Sequence, residues 1–289
     1  MKHYKFLIII MAMISFAFTT DKPAYILYNQ KGKEAKYSKM IDEIKDADLI
    51  LFGEMHYDPI AHWLQLEITK DVYNTKKENL IIGSEMFEAD NQLIMNEYLE
   101  GNFAYKKFKA DIRLWPNYKT DYKPVVEFAK KKGLKFIATN IPRRYASIVH
   151  KKGFEGLNEL SKEAKRYFSP DMEKLYDKNV ECYAAMLKMQ GMGGHVNANF
   201  PKAQAAKDAT MAHFIIKNWK KGKTFIHFQG EYHSDNFEGI VWWIKKLKPK
   251  MKVKTISTVY QKDINKLEKE NIDRANYIIV VPENMTQTR

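Results

Sequence analysis

Apolar residues along this chain fall into short uninterrupted runs that alternate with segments of helical periodicity. Short apolar runs closed by Gly or by polar residues are typical of strands that are buried on both faces of a parallel sheet. Such runs predict strands over 24–28, 49–52, 80–84, 135–139, 224–228, 253–258 and 277–281. Because strands and helices alternate, the sequence predicts an α/β fold with a mostly parallel β-sheet flanked by helices.

The helices are predicted from apolar spacing and from residues that start or stop them. Asp58 suits an N-cap and Pro59 a first helical position, so a helix is expected from there to about Asn74. Gly133 should end the helix that precedes the strand at 135–139. Further helices are predicted over 157–167, 171–188, 202–220 and 240–247, the last with Asp235 or Asn236 as its cap. Residues near 89–122 and 150–220 are therefore expected to be helical insertions over the carboxyl edge of the sheet.

Polar side chains follow the apolar runs at the points where the strands should end. These residues are Glu54, His56, Glu85, Asn140, Arg143, Arg144, Gln229, Glu231 and His233, with His62 on the helix that follows the first of these runs. The carboxyl ends of parallel strands meet at one edge of a sheet, where open α/β sheets bind ligands. The sequence therefore predicts a site at that edge.

Two of these strand ends are near copies, Gly53-Glu54-Met55-His56 and Gly230-Glu231-Tyr232-His233. One interpretation is a divalent metal held by His56, His233, Glu54 and Glu85, with water as a nucleophile. A second is a metal-free hydrolase in which His56 or His233 is a base oriented by a neighbouring Glu. A third assigns the residues only to hydrogen bonds between strand ends. The duplication favours a site over a purely structural network.

Other side chains suit a haem ligand or a packing role. Met, His and Tyr all serve as axial ligands of haem iron. Met186 and His195 lie near or in a Gly-rich loop, but a Met-rich helix is more often adaptable core. The tyrosines that lie in loops near strand ends or insertions are the candidates for reaching a cofactor: Tyr57, Tyr118, Tyr122 and Tyr232.

The first twenty residues are typical of a secretory signal. Lys2 and Lys5 precede an apolar run over 6–18, which is shorter than the ~20 residues that span a bilayer. No Cys lies near this run, so a lipid anchor on a processed Cys is not expected. The sole Cys of the chain, Cys182, excludes an intramolecular disulfide. The sequence predicts an exported protein of the periplasm or cell envelope, with one domain over 21–289.

The chain is basic, with 48 Lys and Arg against 35 Asp and Glu. Removing Lys2 and Lys5 with the signal leaves 46 basic against 35 acidic residues, a net charge of +11. Such an excess favours an anionic partner or ligand. The basic residues are scattered and no known nucleic-acid module is present, so nucleic-acid binding is not expected.

A set of short motifs, in this order and spacing, resembles the ChaN-like haem-binding protein family. The motifs are Gly53-Glu54-x-His56 with His62 and Gln65, Glu85-Met86-Phe87 with Asp90 and Gln92, Trp115-Pro116-x-Tyr118 with Pro124, Asn140-Ile141-Pro142-Arg143, Ala203-Gln204 with 208–212, and Gly230-x-x-His233. The resemblance covers nearly all of the chain after the signal. More distantly, the paired turns and Glu85 look like those of TIKI-type metalloproteases and erythromycin esterases.

This resemblance implies a parallel α/β core with helical additions and haem bound at the surface through a Tyr. It also implies binding between two subunits of a homodimer, and a role with envelope transport components in bacterial iron acquisition. Arg143 and Arg144 are expected to pair with the haem propionates. From the distant relatives, Glu54, His56, Glu85 and His233 correspond to hydrolytic residues, so the strand ends are expected to form a hydrolase-like pocket rather than the iron ligand. Absence of a lipobox Cys departs from members that are lipoproteins.

Overall fold

The computed structural model describes residues 22–191 and 197–288. The predicted signal over 1–20 and His195 lie outside these described residues. In the described part, a single sheet of seven strands has the order β1-β7-β6-β2-β5-β3-β4. Its strands are β1 (Ile26–Asn29), β2 (Leu49–Glu54), β3 (Leu80–Glu88), β4 (Lys135–Asn140), β5 (Thr224–Gly230), β6 (Val253–Gln261) and β7 (Tyr277–Pro282). All neighbours pair in parallel except β1, which runs antiparallel to β7. The fold class predicted from the sequence is confirmed.

Helices flank this sheet on both faces. They are α1 (Tyr37–Ile44), α2 (Pro59–Lys76), α3 (Gln92–Leu99), α4 (Tyr105–Asp111), α5 (Lys123–Lys132), α6 (Arg143–Lys152), α7 (Met172–Leu175), α8 (Glu181–Gly191), α9 (Phe200–Asn218) and α10 (Ile240–Leu247). Asp58 caps α2 through its carboxylate, which accepts from the Ala61 N–H at 2.6 Å. Gly133 ends α5 in the left-handed conformation, φ 63°. The predicted start of α2 and the predicted end of α5 are confirmed. None of the described helices is long and apolar enough to cross a bilayer.

The central strand β2 separates two hydrophobic cores. Ile50 and Phe52 face the core that contains α1, α2 and α5, whereas Leu49 and Leu51 face the core that contains α6, α9 and α10. All six residues of β2 are buried. Because alternate side chains of a strand point to opposite faces, a strand covered on both sides must be apolar throughout. The first strand-end turn therefore follows a strand that is packed on both faces.

The helical predictions between β4 and β5 are partly wrong. The helix predicted over 157–167 is replaced by two short 3₁₀ turns, Phe154–Leu157 and Ala164–Tyr167. The helix predicted over 171–188 is interrupted because Asp177 accepts from the Asn179 N–H at 2.9 Å. Side chains that bond to nearby backbone compete with the helical pattern, which explains the break between α7 and α8. The helix predicted over 202–220 is confirmed as α9.

Two further differences lie next to the site. α6 follows β4 almost directly, where the sequence analysis predicted only a strand end. Helix α10 is preceded by Gly239 at φ 51° and has no side-chain cap. The predicted cap Asp235 is unavailable because its carboxylate accepts from Ser257 at 2.6 Å and from Arg274 at 2.6 Å.

Candidate functional site

A cavity of about 470 Å³ opens at the carboxyl edge of the sheet. Its wall includes residues from the carboxyl-terminal part of β3, residues at or just after the ends of β2, β4 and β5, and side chains from α6, α8 and α9. The lining side chains that matter for chemistry are His56, Glu85, Trp115, Asn140, Arg143, Met186, Gln204, Lys207, Glu231, Tyr232 and His233. The structure thus brings most of the strand-end residues together, at the place where parallel sheets bind ligands.

The two Gly-Glu-x-His turns interlock through their glycines. A Cβ on Gly53 would lie 2.7 Å from the Glu231 Cα, and one on Gly230 would lie 2.9 Å from the His56 ring. β2 and β5 are neighbours in register, with Glu54 opposite Gly230. Each glycine therefore leaves room for a residue of the other turn, which explains why both turns contain a glycine at this position.

Within the first turn, Glu54 orients His56. The His56 Nδ1 lies 3.0 Å from the Glu54 Oε1, which also accepts from the Tyr122 hydroxyl at 2.7 Å. The other carboxylate oxygen of Glu54 accepts from the Gln65 amide. This leaves the Nε2 of His56 facing Gly230 at the cavity. Burial lowers the pKa of His56, but Glu54, Glu85 and Glu231 outweigh it, so the pKa is raised above its usual value.

A buried polar network forms hydrogen bonds with the main-chain carbonyl of His56. The His56 carbonyl accepts from the Asn117 amide at 2.8 Å and lies 3.2 Å from the His62 Nε2. The Asp121 carboxylate accepts from Asn117 at 2.6 Å and from the Thr288 hydroxyl at 2.6 Å. His62 is 5% exposed, so it supports the loop and does not line the cavity.

In the second turn, the histidine pairs with carboxylates from outside the turn. His233 pairs with Glu85 (Nε2–Oε1 3.1 Å) and with Asp208 on α9 (Nδ1–Oδ1 2.5 Å) rather than with Glu231. The Asp208 carboxylate also accepts from the Tyr183 hydroxyl at 2.7 Å. Burial lowers the pKa of His233, but the two carboxylates raise it to about 10. The pKa of Glu85 is lowered against the effect of burial, chiefly by His233. His233 is therefore a buried cation clamped between two anions.

Glu85 is aimed by an irregularity in β3. The pairing of β3 with β4 shifts register between Ser84 and Glu88, which is a bulge-like break in the ladder. Such breaks re-aim side chains next to functional sites. The Glu85 carboxylate then accepts from the Gly230 N–H at 2.8 Å, which ties β3 to the second turn. The sequence predicts Glu85 just after the end of this strand, but in the structure β3 continues to Glu88, so Glu85 lies inside it.

The four candidate tyrosines have different surroundings. Tyr232 is 37% exposed, lines the cavity and donates to the Cys182 carbonyl at 2.7 Å. Burial raises its pKa to about 12, with Cys182, Asp208 and Glu238 contributing. Tyr122 is 4% exposed and bonded to Glu54. Tyr118 is 3% exposed in the core, and its hydroxyl has no partner among the residues that the structure describes.

Tyr57, the remaining candidate, lies on the same loop as His56. It is half-buried and is not part of the cavity wall. Its main-chain carbonyl accepts from the Thr288 N–H at 3.0 Å. Of the four tyrosines, the structure therefore brings only Tyr232 to the cavity.

The arginines near the cavity differ in whether they form ion pairs. Arg144 pairs with Asp90 at 2.5 Å and lies over the Tyr145 ring. Arg113 pairs with Glu88 at 2.9 Å. Within residues 22–191 and 197–288, Arg143 forms no ion pair, and it lines both the cavity and an adjoining groove of about 520 Å³.

The four residues suggested for a metal lie close together but bond to one another and to their neighbours. Among the residues that the structure describes, no group of three or more His, Cys, Asp or Glu side chains is arranged to hold a metal ion. The reason is that Glu54 accepts from Tyr122 and Gln65, while Glu85 and Asp208 are engaged by His233. The site is therefore better suited to imidazole chemistry than to a bare divalent cation.

Sequence reasoning gave no role in the site to three residues of α9, although two of them lie in a motif of the resemblance. Gln204 and Asp208 contact His233 of the second turn, which follows α9 after the single strand β5, and Lys207 lines the cavity. The Gln204 amide lies 3.1 Å from the His233 Nδ1. A signal was available, because a buried face of α9 contains Asp208 among Ala residues, and an acidic residue there needs a partner.

Comparison with known proteins identifies the family of the chain. The family model described as haem-binding uptake, Tiki superfamily, ChaN matches residues 40–244. A solved structure of cofacial haem binding to ChaN of Campylobacter jejuni is 15% identical, with 89% of this chain and 96% of that chain covered and a TM-score of 0.62. A mutant erythromycin esterase, EreC, in its open conformation is 9% identical, covering 89% and 83%, with a TM-score of 0.46.

A curated relative is the chloroplastic protein Reticulata-related 5 of Arabidopsis thaliana. It is 26% identical over 145 residues, which are 48% of this chain and 19% of that protein. The chain thus spans about a fifth of that relative's length. The family match extends over more than two thirds of the chain and includes both strand-end turns. The chain belongs to the ChaN haem-binding uptake family of the Tiki superfamily.

Proposed function

We propose that this protein binds haem in the cavity at the carboxyl edge of the sheet. The observation that carries the proposal is the free Nε2 of His56, which faces that cavity while its Nδ1 is held by Glu54 at 3.0 Å. A carboxylate on the far nitrogen is the arrangement that orients histidine ligands of iron and other metals. Family membership gives the ligand class.

The surroundings of the cavity suit haem in size and in chemistry. Its volume of about 470 Å³ lies within the ~300–1,000 Å³ usual for cofactor sites. The adjoining groove shares Met86, Trp115 and Arg143 with it, so a planar ligand can extend from one into the other. The Trp115 ring lies 4.9 Å from the His56 ring and offers an apolar face. Haem would supply iron chemistry there, while the chain supplies the ligand and the walls.

Two side chains at the wall are candidates for the iron ligand. His56 offers its Nε2 without breaking a hydrogen bond that the structure records. Tyr232 would have to lose its proton and give up its bond to the Cys182 carbonyl. The deep burial of Tyr118 and Tyr122 speaks against either as a ligand, because reaching haem would open the core. We therefore propose His56 first, in place of the tyrosine expected from the resemblance, and Tyr232 second.

Haemin titration followed by Soret absorbance tests the proposal. The wild type should show a saturable Soret shift, and either His56→Ala or Tyr232→Phe should abolish or displace the band. Tyr118→Phe is the matched control, because it removes a tyrosine hydroxyl that lies in the core away from the cavity. A wild type with no saturable shift, or variants that all behave alike, would contradict haem binding at this place.

We also propose that the protein is exported, without a lipid anchor, to the periplasm or cell envelope for haem or iron acquisition. The basic and apolar pattern over 1–20 supports export, and the absence of Cys near it supports a protein without an anchor. A homodimer with haem at the interface and contact with envelope transport components belong to the same proposal. Fractionation of cells with a carboxyl-terminal tag tests the location. Light scattering with and without haemin tests the dimer.

A second candidate function is a metal-free hydrolase. The observation that favours it is the same Glu54–His56 pair, since a histidine held by a carboxylate and open at its other nitrogen is the arrangement of a general base. An esterase and peptidase panel on the wild type and on His56→Ala tests it. Activity that disappears in the variant would support hydrolysis. Activity that persists in the variant, or no activity in the wild type, would contradict it.

A further inference from the structure

The first turn of α6 carries two positive side chains, and the fold compensates only one of them. The helix begins with Arg143 and Arg144, has no acidic residue in its first turn and receives no side-chain cap from Pro142. The amino end of a helix already has a partial positive charge, so anions stabilise it and cations do not. Two arginines at this end are unfavourable for the helix by itself. Negative charge near this turn would therefore stabilise the helix, whether it comes from the chain or from a ligand.

One of the two charges is neutralised inside the protein. Arg144 is held by Asp90 at 2.5 Å and by the Tyr145 ring, with 4.4 Å between the guanidinium carbon and the ring centroid. Arg143 is exposed and, in the part of the chain that the structure describes, makes neither an ion pair nor a side-chain hydrogen bond. Arg143 therefore remains available to a ligand, and it lies on the cavity wall.

A second cation lines the same cavity from a different helix. Lys207 on α9 is half-buried and, among residues 22–191 and 197–288, has no carboxylate within ion-pair distance. Its charge contributes to the lowered pKa of Glu85, although His233 is the larger cause apart from burial. A half-buried ammonium without an ion pair is costly unless an anion joins it. Arg143 and Lys207 thus present two cations to one space.

Asn140 adds an unsatisfied amide oxygen at this end of the cavity. It is the last residue of β4, three residues before Arg143, and its buried Oδ1 has no hydrogen-bond partner among residues 22–191 and 197–288. Buried polar atoms are nearly always satisfied, so this amide is able to turn and to donate its NH₂ to a ligand carboxylate. A side-chain amide can present either its oxygen or its NH₂ to that ligand.

The acidic residues of the cavity do not cancel these cations. Glu85 is engaged by His233 and the Gly230 N–H, and Glu88 is engaged by Arg113. Glu231 lies on the second turn, and Arg143 and Lys207 have no ion-pair partner within residues 22–191 and 197–288. These two cations are therefore available to an anion near the start of α6.

We propose that Arg143, Lys207, Asn140 and the first turn of α6 form a carboxylate-binding subsite of the cavity. This inference rests on the proposed function, and it deepens it by assigning the ligand carboxylates to Arg143 and Lys207. Arg144, which sequence analysis paired with Arg143, is occupied by Asp90 and lies outside the subsite. Arg recognises carboxylates through two parallel N–H donors, and Lys recognises them as a point charge.

Titration with haemin and with haemin dimethyl ester tests the subsite, because the ester keeps the ring and iron but neutralises both carboxylates. The wild type should bind haemin on the order of 10- to 100-fold tighter than the ester, the range expected for charge-assisted hydrogen bonds. Arg143→Gln and Lys207→Gln should each weaken haemin while leaving the ester almost unchanged. Arg166→Gln is the matched control, since Arg166 is exposed and lies outside the cavity wall, and it should keep the wild-type ratio.

The titrations give different results if the subsite proposal is wrong and if haem binding itself is wrong. Equal affinity of the wild type for haemin and its ester would overturn the subsite and leave haem binding intact. An Arg143→Gln variant that loses both ligands equally would also overturn it, because that pattern indicates general damage to the cavity. No saturable binding of either compound would overturn the proposed function and the subsite together. Thermal melting of each variant shows whether it is folded.

Discussion

Replacing Glu85 by Gln should release His233 from one of its two anions. Both side chains are buried, at 4% and 5% exposure, so their interaction is weakly screened. The rise in the pKa of His233 from 6.5 to about 10 corresponds to about 5 kcal/mol, shared between Glu85 and Asp208. Removing one carboxylate should lower that pKa by roughly 2 and destabilise the fold by about 2–3 kcal/mol at neutral pH. Gln keeps the shape and can still accept from the Gly230 N–H.

The pH dependence of this variant follows from the direction of the shift. A histidine whose pKa is raised in the folded state contributes stability fully below pH 6.5, and that stability is lost as the pH rises through about 10. In Glu85→Gln the loss should occur at lower pH, near pH 8. Glu85 has a lowered pKa, so its share of the pair is present above its usual value and is lost as the pH falls.

Urea unfolding between pH 5 and pH 10, with an NMR titration of His233, measures both effects. Glu88→Gln is the matched control, because it removes the same charge from the same strand where Arg113 is 53% exposed. That control should cost less than about 1 kcal/mol. The reasoning is refuted if His233 titrates near 6.5 in the wild type, or if Glu88→Gln costs as much as Glu85→Gln.

Three further changes test other parts of the structure. Tyr118→Phe removes a buried hydroxyl without a partner, so thermal melting should show an unchanged or higher stability, by up to about 1 kcal/mol; a clear loss would mean that the hydroxyl has a partner. Thr288→Val removes a hydrogen bond to Asp121 and should lower the free energy of unfolding by about 1 kcal/mol. It should also speed amide hydrogen exchange in the loop of His56, and unchanged exchange would show that Thr288 does not stabilise that loop. Gly230→Ala should displace the His56 ring, because the new Cβ would lie 2.9 Å from it, and haemin binding should fall; wild-type binding would show that the ring position is not critical.

The sheet could be predicted from the sequence because its strands are buried on both faces. The apolar run over 49–52 has no polar interruption before Glu54, so both the strand and its end can be located from the sequence. The same argument placed Glu54, His56, Asn140 and Glu231 at one edge, and the structure brings them there. The helices between β4 and β5 were harder, because local side-chain bonds such as Asp177 to Asn179 override apolar spacing.

The partners within the site could not be read from the motif alone. The two Gly-Glu-x-His turns are alike in sequence, yet Glu54 pairs with His56 while His233 pairs with Glu85 and Asp208. That difference depends on the bulge in β3 and on the packing of α9, both of which are tertiary features. Likewise, nothing in the sequence distinguishes Arg143 from Arg144, and only the position of Asp90 decides which one is free.

The most direct test of haem binding in this cavity is a crystal structure of the haemin-loaded protein with anomalous scattering measured at the iron edge. The account predicts an iron peak in the cavity at bonding distance from the His56 Nε2 or the Tyr232 hydroxyl oxygen, with the propionates toward Arg143 and Lys207. An iron peak elsewhere on the molecule, or none in crystals of protein saturated with haemin, would contradict it.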